Sequence, residues 1–334
     1  MTDRFPPAGA GDTLGDSLPT SDEAALRAFE ETEGMAVEPV TQWKLFRTRF
    51  ARHRMAMLAV LVLAIIVAAA VFADFIPKLK NPFTEFEDAN GRTLNLLAPR
   101  AQFPFGTDQL GRDVLARVVY GGRTSLVVAG LTGLLVASIG TIVGAVAGYY
   151  GGWVDQTLMR FTDLVLSLPL LPVAIVAANY LRALFRGHEA VALAMLLGLL
   201  LWGVLARIVR AEFLSLREKE FVEAARAAGA RDRRIIFRHI LPNALGPIIV
   251  NTTLTIGTAI ILEAALSFLG FGVVPPTPAW GQMAADGGRA AVSSGAYWLV
   301  LFPSAALILT VLSVNFLGDG LRDALDPTQS IERK

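Results

Sequence analysis

The chain has 334 residues, 54% of them hydrophobic, with no cysteine and a formal net charge of +1. Such a composition excludes a soluble domain, because several apolar runs reach the ~20 residues that cross a bilayer core as a helix. The lack of cysteine excludes disulfides and thiolate chemistry, and His53, His188 and His239 stand far apart without ligand spacing, so no metal site is expected.

Residues 1–42 read as a disordered acidic tail, with nine Asp or Glu in the first 40 residues against Arg4 and Arg27. Within it Thr20 and Glu23 fit a capping box for a short helix. Residues 43–54 reverse the charge. Lys44, Arg47, Arg49, Arg52 and Arg54 accompany Trp43, Phe46 and Phe50 at helical spacing. A basic amphipathic helix of this kind lies in the interface of an anionic leaflet, so membrane lipids are expected contacts.

The first span is expected at residues 55–75, and the cations before it place the N-terminus in the cytoplasm. An extracytoplasmic segment, 76–121, follows with turn signals at Asn81-Pro82, Asn90-Gly91 and Ala98-Pro99. It leads into a short amphipathic helix from Val114 that Gly121-Gly122 is expected to end. The second span, about Leu126 to Tyr149, carries Gly140, Gly144 and Gly148 on one face, a pattern for close helix packing or for a pore-facing stripe. Residues 151–160 read as a short turn. The third span, Phe161 to Leu181, contains Pro169 and Pro172, which favour a kink, and pairs Asp163 with Arg160. The fourth, Ala190 to Val209, is almost wholly aliphatic.

A charged island then interrupts the apolar pattern: nine of the thirty Lys and Arg lie between Arg207 and Arg238. Phe221, Ala224, Ala225 and Ala228 share one helical face, Gly229 permits a turn, Asp232 can cap a second helix, and Leu241-Pro242 is expected to break it. A helix-turn-helix protruding into the cytoplasm is the reading; a polar connector touching lipid phosphates is the alternative. The fifth span, about Ala244 to Gly270, contains Glu263. An acid at such depth serves either as polar glue inside the bundle or in lining a water-filled path. A second external segment, 272–297, opens on Pro275-Pro276-Thr277-Pro278-Ala279-Trp280. The sixth span, about Trp298 to Leu317, ends in Gly318-Asp319-Gly320, and 320–334 form a cytoplasmic tail. The inner segments carry about twice the Lys and Arg of the outer ones, which puts both termini inside. The expected fold is all-α and polytopic, with six transmembrane helices.

The sequence resembles a known family. Glu223-Ala224-Ala225, then Gly229, then Ile240-Leu241-Pro242 is similar to the EAA loop of bacterial binding-protein-dependent ABC importer permeases. Phe105-Gly106-Thr107-Asp108 with Gly111-Arg112-Asp113, Gly148-Tyr149-Tyr150-Gly151-Gly152, Ala265-Leu266-Ser267-Phe268-Leu269-Gly270, Trp280-Gly281 and Gly318-Asp319-Gly320-Leu321-Arg322-Asp323 narrow the resemblance to the C-type permease subunit of dipeptide, oligopeptide and nickel importers. It implies a type I ABC importer transmembrane fold over 122–319 with a cytoplasmic coupling helix. It implies partners: a homologous second permease, two ATPase subunits or domains, and an extracytoplasmic binding protein. No nucleic acid is expected. The dipeptide Gly-Lys never occurs, so the chain has no phosphate loop; ATP and Mg would be bound by the ATPases, with no cofactor on this chain.

By that resemblance Glu223, Ala224, Ala225, Ala228, Gly229, His239, Leu241 and Pro242 would couple to the ATPase. Glu263, Pro169 and Pro172 are candidates for the pathway, and Asp108, Arg112, Asp113 and Trp280 for the outer mouth. No catalytic residue is expected. Two other readings of the residues are a proton-coupled secondary transporter using Glu263 and a non-transporting membrane scaffold.

Overall fold

The computed structural model describes residues 42–325. The acidic tail, its Thr20–Glu23 capping pattern and residues 326–334 of the final tail lie outside the described residues. Helix α1 (Gln42–Arg52) stops at His53, whose Nδ1 accepts the Ala56 amide at 3.0 Å and caps α2 (Arg54–Val71). A 3-10 turn, Ala73–Phe75, ends the first span. The segment before the next helix has no named strand and only isolated bridges. Its anchors are buried Phe103, buried Thr107, the stack of Phe105 on Phe302 at 3.8 Å, and the Trp298 indole donating to the Thr107 carbonyl at 3.2 Å.

Helix α3 runs unbroken from Val114 to Tyr150. Gly121-Gly122 therefore does not terminate it. Both glycines are buried, and a Cβ on Gly122 would stand 3.0 Å from the Trp280 ring, so they make room for a neighbour rather than a turn. The predicted turn at 151–160 shrinks to Gly151 and Gly152, both at positive φ, the second of which already opens α4 (Gly152–Ser167). The third span is also more than kinked. It divides into α4 and α5 (Leu170–Leu184), bent by 87°. Pro169 stands just before α5 and Pro172 in its first turn, where amides lack helical acceptors anyway, so the chain breaks ahead of the prolines instead of bending through them.

Helix α6 (Glu189–Arg217) continues two turns beyond the expected fourth span. The island follows as α7 (Glu220–Ala227) and the start of α8 (Asp232–Phe268), a continuous helix of 37 residues. Leu241-Pro242 does not break α8. The turn before it, Ile235–Ile240, is a π-helix, and such a bulge takes up the hydrogen bond and space that a proline denies an α-helix. Between spans five and six lies α9 (Trp280–Ser294), a helix the sequence reading does not contain. Helix α10 (Trp298–Leu325) passes through Gly318-Asp319-Gly320, because Gly320 faces Ala56 of α2 and its missing side chain lets the two helices touch. Among the described residues five helices are long and apolar enough to cross a membrane, and six if the bent α4–α5 pair counts as one span.

The core of the bundle is the pairing of α3 with α6. A Cβ on Gly148 would lie 2.7 Å from the Arg210 carbonyl oxygen, one on Gly140 would lie 3.0 Å from that of Trp202, and one on Gly144 would overlap that of Ala206. Of the two readings of this stripe, packing is the one observed. Close backbones of this kind gain dispersion and Cα–H···O contacts that lipid cannot supply. Gly144→Leu is expected to lower the stability of the purified protein by about 3 kcal/mol or more, whereas Gly130→Leu, with nothing within 4 Å of its absent Cβ, leaves it unchanged; thermal unfolding in nanodiscs checks the pair.

Candidate coupling site

The island is built on apolar anchors. Val222, at 0% exposure, inserts from α7 into a cluster with Phe213 of α6, Tyr149 of α3, and Ile235, Ile240 and Ala244 of α8. This one side chain fastens α7, and the rest of the helix stands proud. Glu223, Ala224 and Ala228 are exposed and Ala225 is half-buried, so the small-residue face predicted from the sequence is open. Phe221 on that face is 41% exposed.

Gly229 closes the helix. Its φ is +77, its amide donates to the Arg226 carbonyl at 3.0 Å, and the Ala230 amide reaches back to Ala225 at 3.0 Å. These two bonds form a Schellman motif, which needs a left-handed residue at this place. Nothing lies within 4 Å of a Cβ built on Gly229, so backbone conformation alone demands glycine there.

Polar ties lock the base of the island to the bundle. The Tyr149 hydroxyl donates to Asp232 Oδ1 at 2.7 Å. Asp232 is thereby spent on α3 and does not cap its own helix. Arg217 Nη1 donates to the Tyr149 carbonyl at 3.0 Å, satisfying an orphan acceptor at the end of α3. Arg210 grips Asp155 of α4 with both ends of its fork, at 2.5 and 2.6 Å. Asp163 pairs with Arg207 of α6 rather than with the predicted Arg160. His239 is half-buried, and its carbonyl accepts from the Asn243 side chain at 2.7 Å; Leu241 is half-buried and Pro242 exposed.

At the opposite end, the four mouth candidates use their polar atoms internally. Asp108 Oδ1 accepts the Leu110 and Arg112 amides, each at 2.9 Å, while Oδ2 meets Arg112 Nε at 2.8 Å. Asp113 caps α3 through the Ala116 amide at 3.1 Å and pairs with Lys80 at 3.3 Å. Buried Trp280 donates its indole N–H to the Val118 carbonyl at 2.8 Å. Nearby, the Tyr120 hydroxyl and the Arg123 guanidinium hold the Asp74 carboxyl below the usual carboxylate range.

Glu263 lies at 0% exposure within the chain's own packing. Ser267 and Ser125 donate to its two oxygens at 2.8 and 3.1 Å, and Ser125 in turn accepts the Trp280 amide at 3.4 Å. The carboxyl thus ties α8, α3 and α9 together, which favours the glue reading over a surface on the pathway. Among the described residues no cluster of His, Asp and Glu could hold a metal ion.

Residues 140–331 match the family described as binding-protein-dependent transport system inner membrane component. The chain belongs to that family. Residues 41–99 of the permease also match the N-terminal transmembrane domain of oligopeptide transport permease C. It is similar to the dipeptide transport system permease protein DppC of Alkalihalophilus pseudofirmus, 40% identical over 86% of this chain and 90% of the relative. The oligopeptide transport system permease protein OppC of Haemophilus influenzae is 40% identical over 89% and 92%. The glutathione transport system permease protein GsiD of Escherichia coli is 41% identical over 91% and 96%. Among solved structures, the inward-facing MetNI methionine ABC transporter superposes with a TM-score of 0.51 at 22% identity, covering 63% of this chain and 96% of the other. The permease therefore has the type I ABC importer transmembrane fold and is a multi-pass inner-membrane protein.

Sequence reasoning missed the Tyr149–Asp232, Arg217–Tyr149 and Asp155–Arg210 ties, each between residues more than 50 positions apart. No periodicity or local motif signals such a pair. For the Glu263 network, Glu263→Gln is expected to keep the folded stability close to wild type, and Glu263→Leu to lower it by about 1–3 kcal/mol by stranding the buried Ser125 hydroxyl; denaturation of the two purified variants decides this.

Proposed function

We propose that this chain is the non-catalytic permease subunit of an ABC importer for di- and oligopeptides, glutathione-like peptides included. With a homologous second permease it forms the pathway, an extracytoplasmic binding protein delivers the solute, and two partner ATPases supply the work. Both termini lie in the cytoplasm. Helix α7 is the coupling helix, seated in a cleft of the ATPase.

The observation that carries this reading is the construction of α7. An eight-residue helix is marginal in isolation, yet this one is held off the bundle by one buried side chain, with its alanine face and Glu223 open. Past the Gly229 turn, Asp232 at the start of α8 is bonded to Tyr149 at the end of α3, and Arg217 at the end of α6 is bonded to the same end of α3. An exposed apolar face on a braced stalk serves docking, and the bracing carries a push on α7 into the spans. The relatives' peptide names support the substrate class.

The left-handed turn at Gly229 gives the test. Asn tolerates φ > 0 and a β-branched residue does not. Gly229→Asn is expected to keep most peptide uptake, while Gly229→Val inserts into the membrane at normal levels and loses uptake at least about tenfold, from about 1–2 kcal/mol of backbone strain amplified through misdocking. Wild-type uptake of labelled peptide by whole cells expressing Gly229→Val would reject the coupling role.

A further inference from the structure

The end of α10, residues 318–323, is the seat of α1. A single extended residue, His53 (φ −80, ψ 92), separates α1 from α2. Phe46, Arg49, Phe50 and His53 are half-buried at helical spacing and make the inner face of this arm. The Phe50 ring comes within 3.4 Å of where a Cβ on Gly320 would stand, Phe46 stacks on Phe50 at 5.9 Å, and His53 Nε2 meets Asp323 Oδ2 at 3.5 Å. His53 Nδ1 accepts the Ala56 amide, which leaves Nε2 to carry the ring proton toward Asp323. The aromatic side of α1 thus turns toward protein, whereas a free interfacial helix would sink it among acyl chains.

Arg47, Arg52 and Arg54 stand on the outer side. All three are exposed, and among the described residues none has a carboxylate partner. Their height decides what they meet. The apolar run of α2 begins at Met55, and its 18 residues cover about 27 Å, close to a hydrocarbon core of about 30 Å. Arg54 is therefore at one edge of the hydrocarbon. Phe50 and Ala56 both touch Gly320, so α1 stays beside that edge instead of leading away from it. The headgroup layer there is about 5–7 Å deep. Of the acids on this end of α10, Asp323 is taken by His53 and Asp319 is offset by Arg322, so the surplus charge is positive.

We propose that α1 is a strap held from two sides, by α10 through Phe50 and His53 and by anionic phospholipid headgroups through Arg47, Arg52 and Arg54. A phosphate accepts two parallel bonds from a guanidinium fork, which an ammonium group cannot offer. A basic segment next to a span attracts anionic lipid, and that attraction fades within a Debye length. The headgroup is then a ligand that keeps the strap on α10; without it, the Phe50–Gly320 contact and the His53–Asp323 pair hold the strap alone. The proposal stands apart from the transport reading, because it concerns only the fold and the membrane.

The test places the full-length permease in nanodiscs of phosphatidylglycerol or of phosphatidylcholine and follows amide hydrogen exchange over residues 46–53. Wild-type α1 is expected to exchange at least about fivefold more slowly in phosphatidylglycerol, with the difference shrinking as KCl rises. Arg47→Gln/Arg52→Gln, which keeps Arg54 beside the span, is expected to remove most of the difference, and Arg47→Lys/Arg52→Lys to restore part of it. Lipid retention by native mass spectrometry is a second readout: from an equal mixture the wild type is expected to keep phosphatidylglycerol over phosphatidylcholine by at least about threefold, and the Gln variant to lose that preference. Equal exchange in the two lipids, or a preference that survives in the Gln variant, would overturn the proposal. So would a preference that emerges only when residues 2–40 are deleted, because the arginines would then belong to that acidic segment instead of to lipid.

Discussion

The separation of α3 from α6 is set by atoms that are missing. Gly140, Gly144 and Gly148 let the α3 backbone rest on carbonyl oxygens of Trp202, Ala206 and Arg210, closer than any side chain permits. In a bilayer the lipid tails are as apolar as leucine, so helices gain little from merely hiding apolar surface, and close packing has to supply the association. Gly198 and Gly203 answer on α6 by admitting Leu135 of α3 and Leu166 of α4. The other elements take their places around this pair. α5 packs on α6 through Ala174 and Ala178, and α8 enters α3 where Gly133 receives Ile256.

Because α3 and α6 run as one unit, their ends at the island also form one unit. Tyr149 and Arg217 lie on those ends: Arg217 bonds the last carbonyls of α3, and Tyr149 bonds Asp232 at the start of α8. Val222 adds the apolar pin. The Tyr149 side of the bond to Asp232 is buried, and a polar bond partly screened from water ruptures at a higher cost than the same bond on a wet surface. A displacement of α7 is therefore handed to the spans rather than absorbed in a hinge. At the opposite end the Trp280–Ser125–Glu263–Ser267 chain plays a matching part, fixing α9 to α3 and α8.

Much of this was legible in the sequence, for identifiable reasons. Spans declare themselves by apolar length, the Gly stripe by its four-residue repeat, and the island by charge. The failures share a cause too. Gly121-Gly122, Leu241-Pro242 and Gly318-Asp319-Gly320 all carry local signals for a stop, and in each the helix continues because a neighbour or a π-turn offsets the local preference: Trp280 at Gly122, the π-turn before Pro242, and Ala56 at Gly320. Packing and backbone adjustment outweigh propensities of about 1 kcal/mol for Gly and about 3 kcal/mol for Pro. Helix α9 escaped because Gly287 and Gly288 dilute its Ala-rich run, and only the structure shows Gly287 tucked beneath Leu299. The seating of Phe50 on Gly320 was likewise invisible, since the two stand near opposite ends of the chain.

The central claim is that the coupling helix and the α3–α6 core move as one rigid body. The chain has no cysteine, so spin labels can be placed at will. Labels at Ala228, the exposed C-cap of α7, and at Leu134 on the exposed face of α3 would report the distance between the two by double electron–electron resonance. The account predicts one narrow distance that stays the same in the complex with and without trapped ATP, while distances to the second permease change. A broad distribution, or one that shifts when ATP is trapped, would mean that α7 swings on a hinge of its own, and would contradict it.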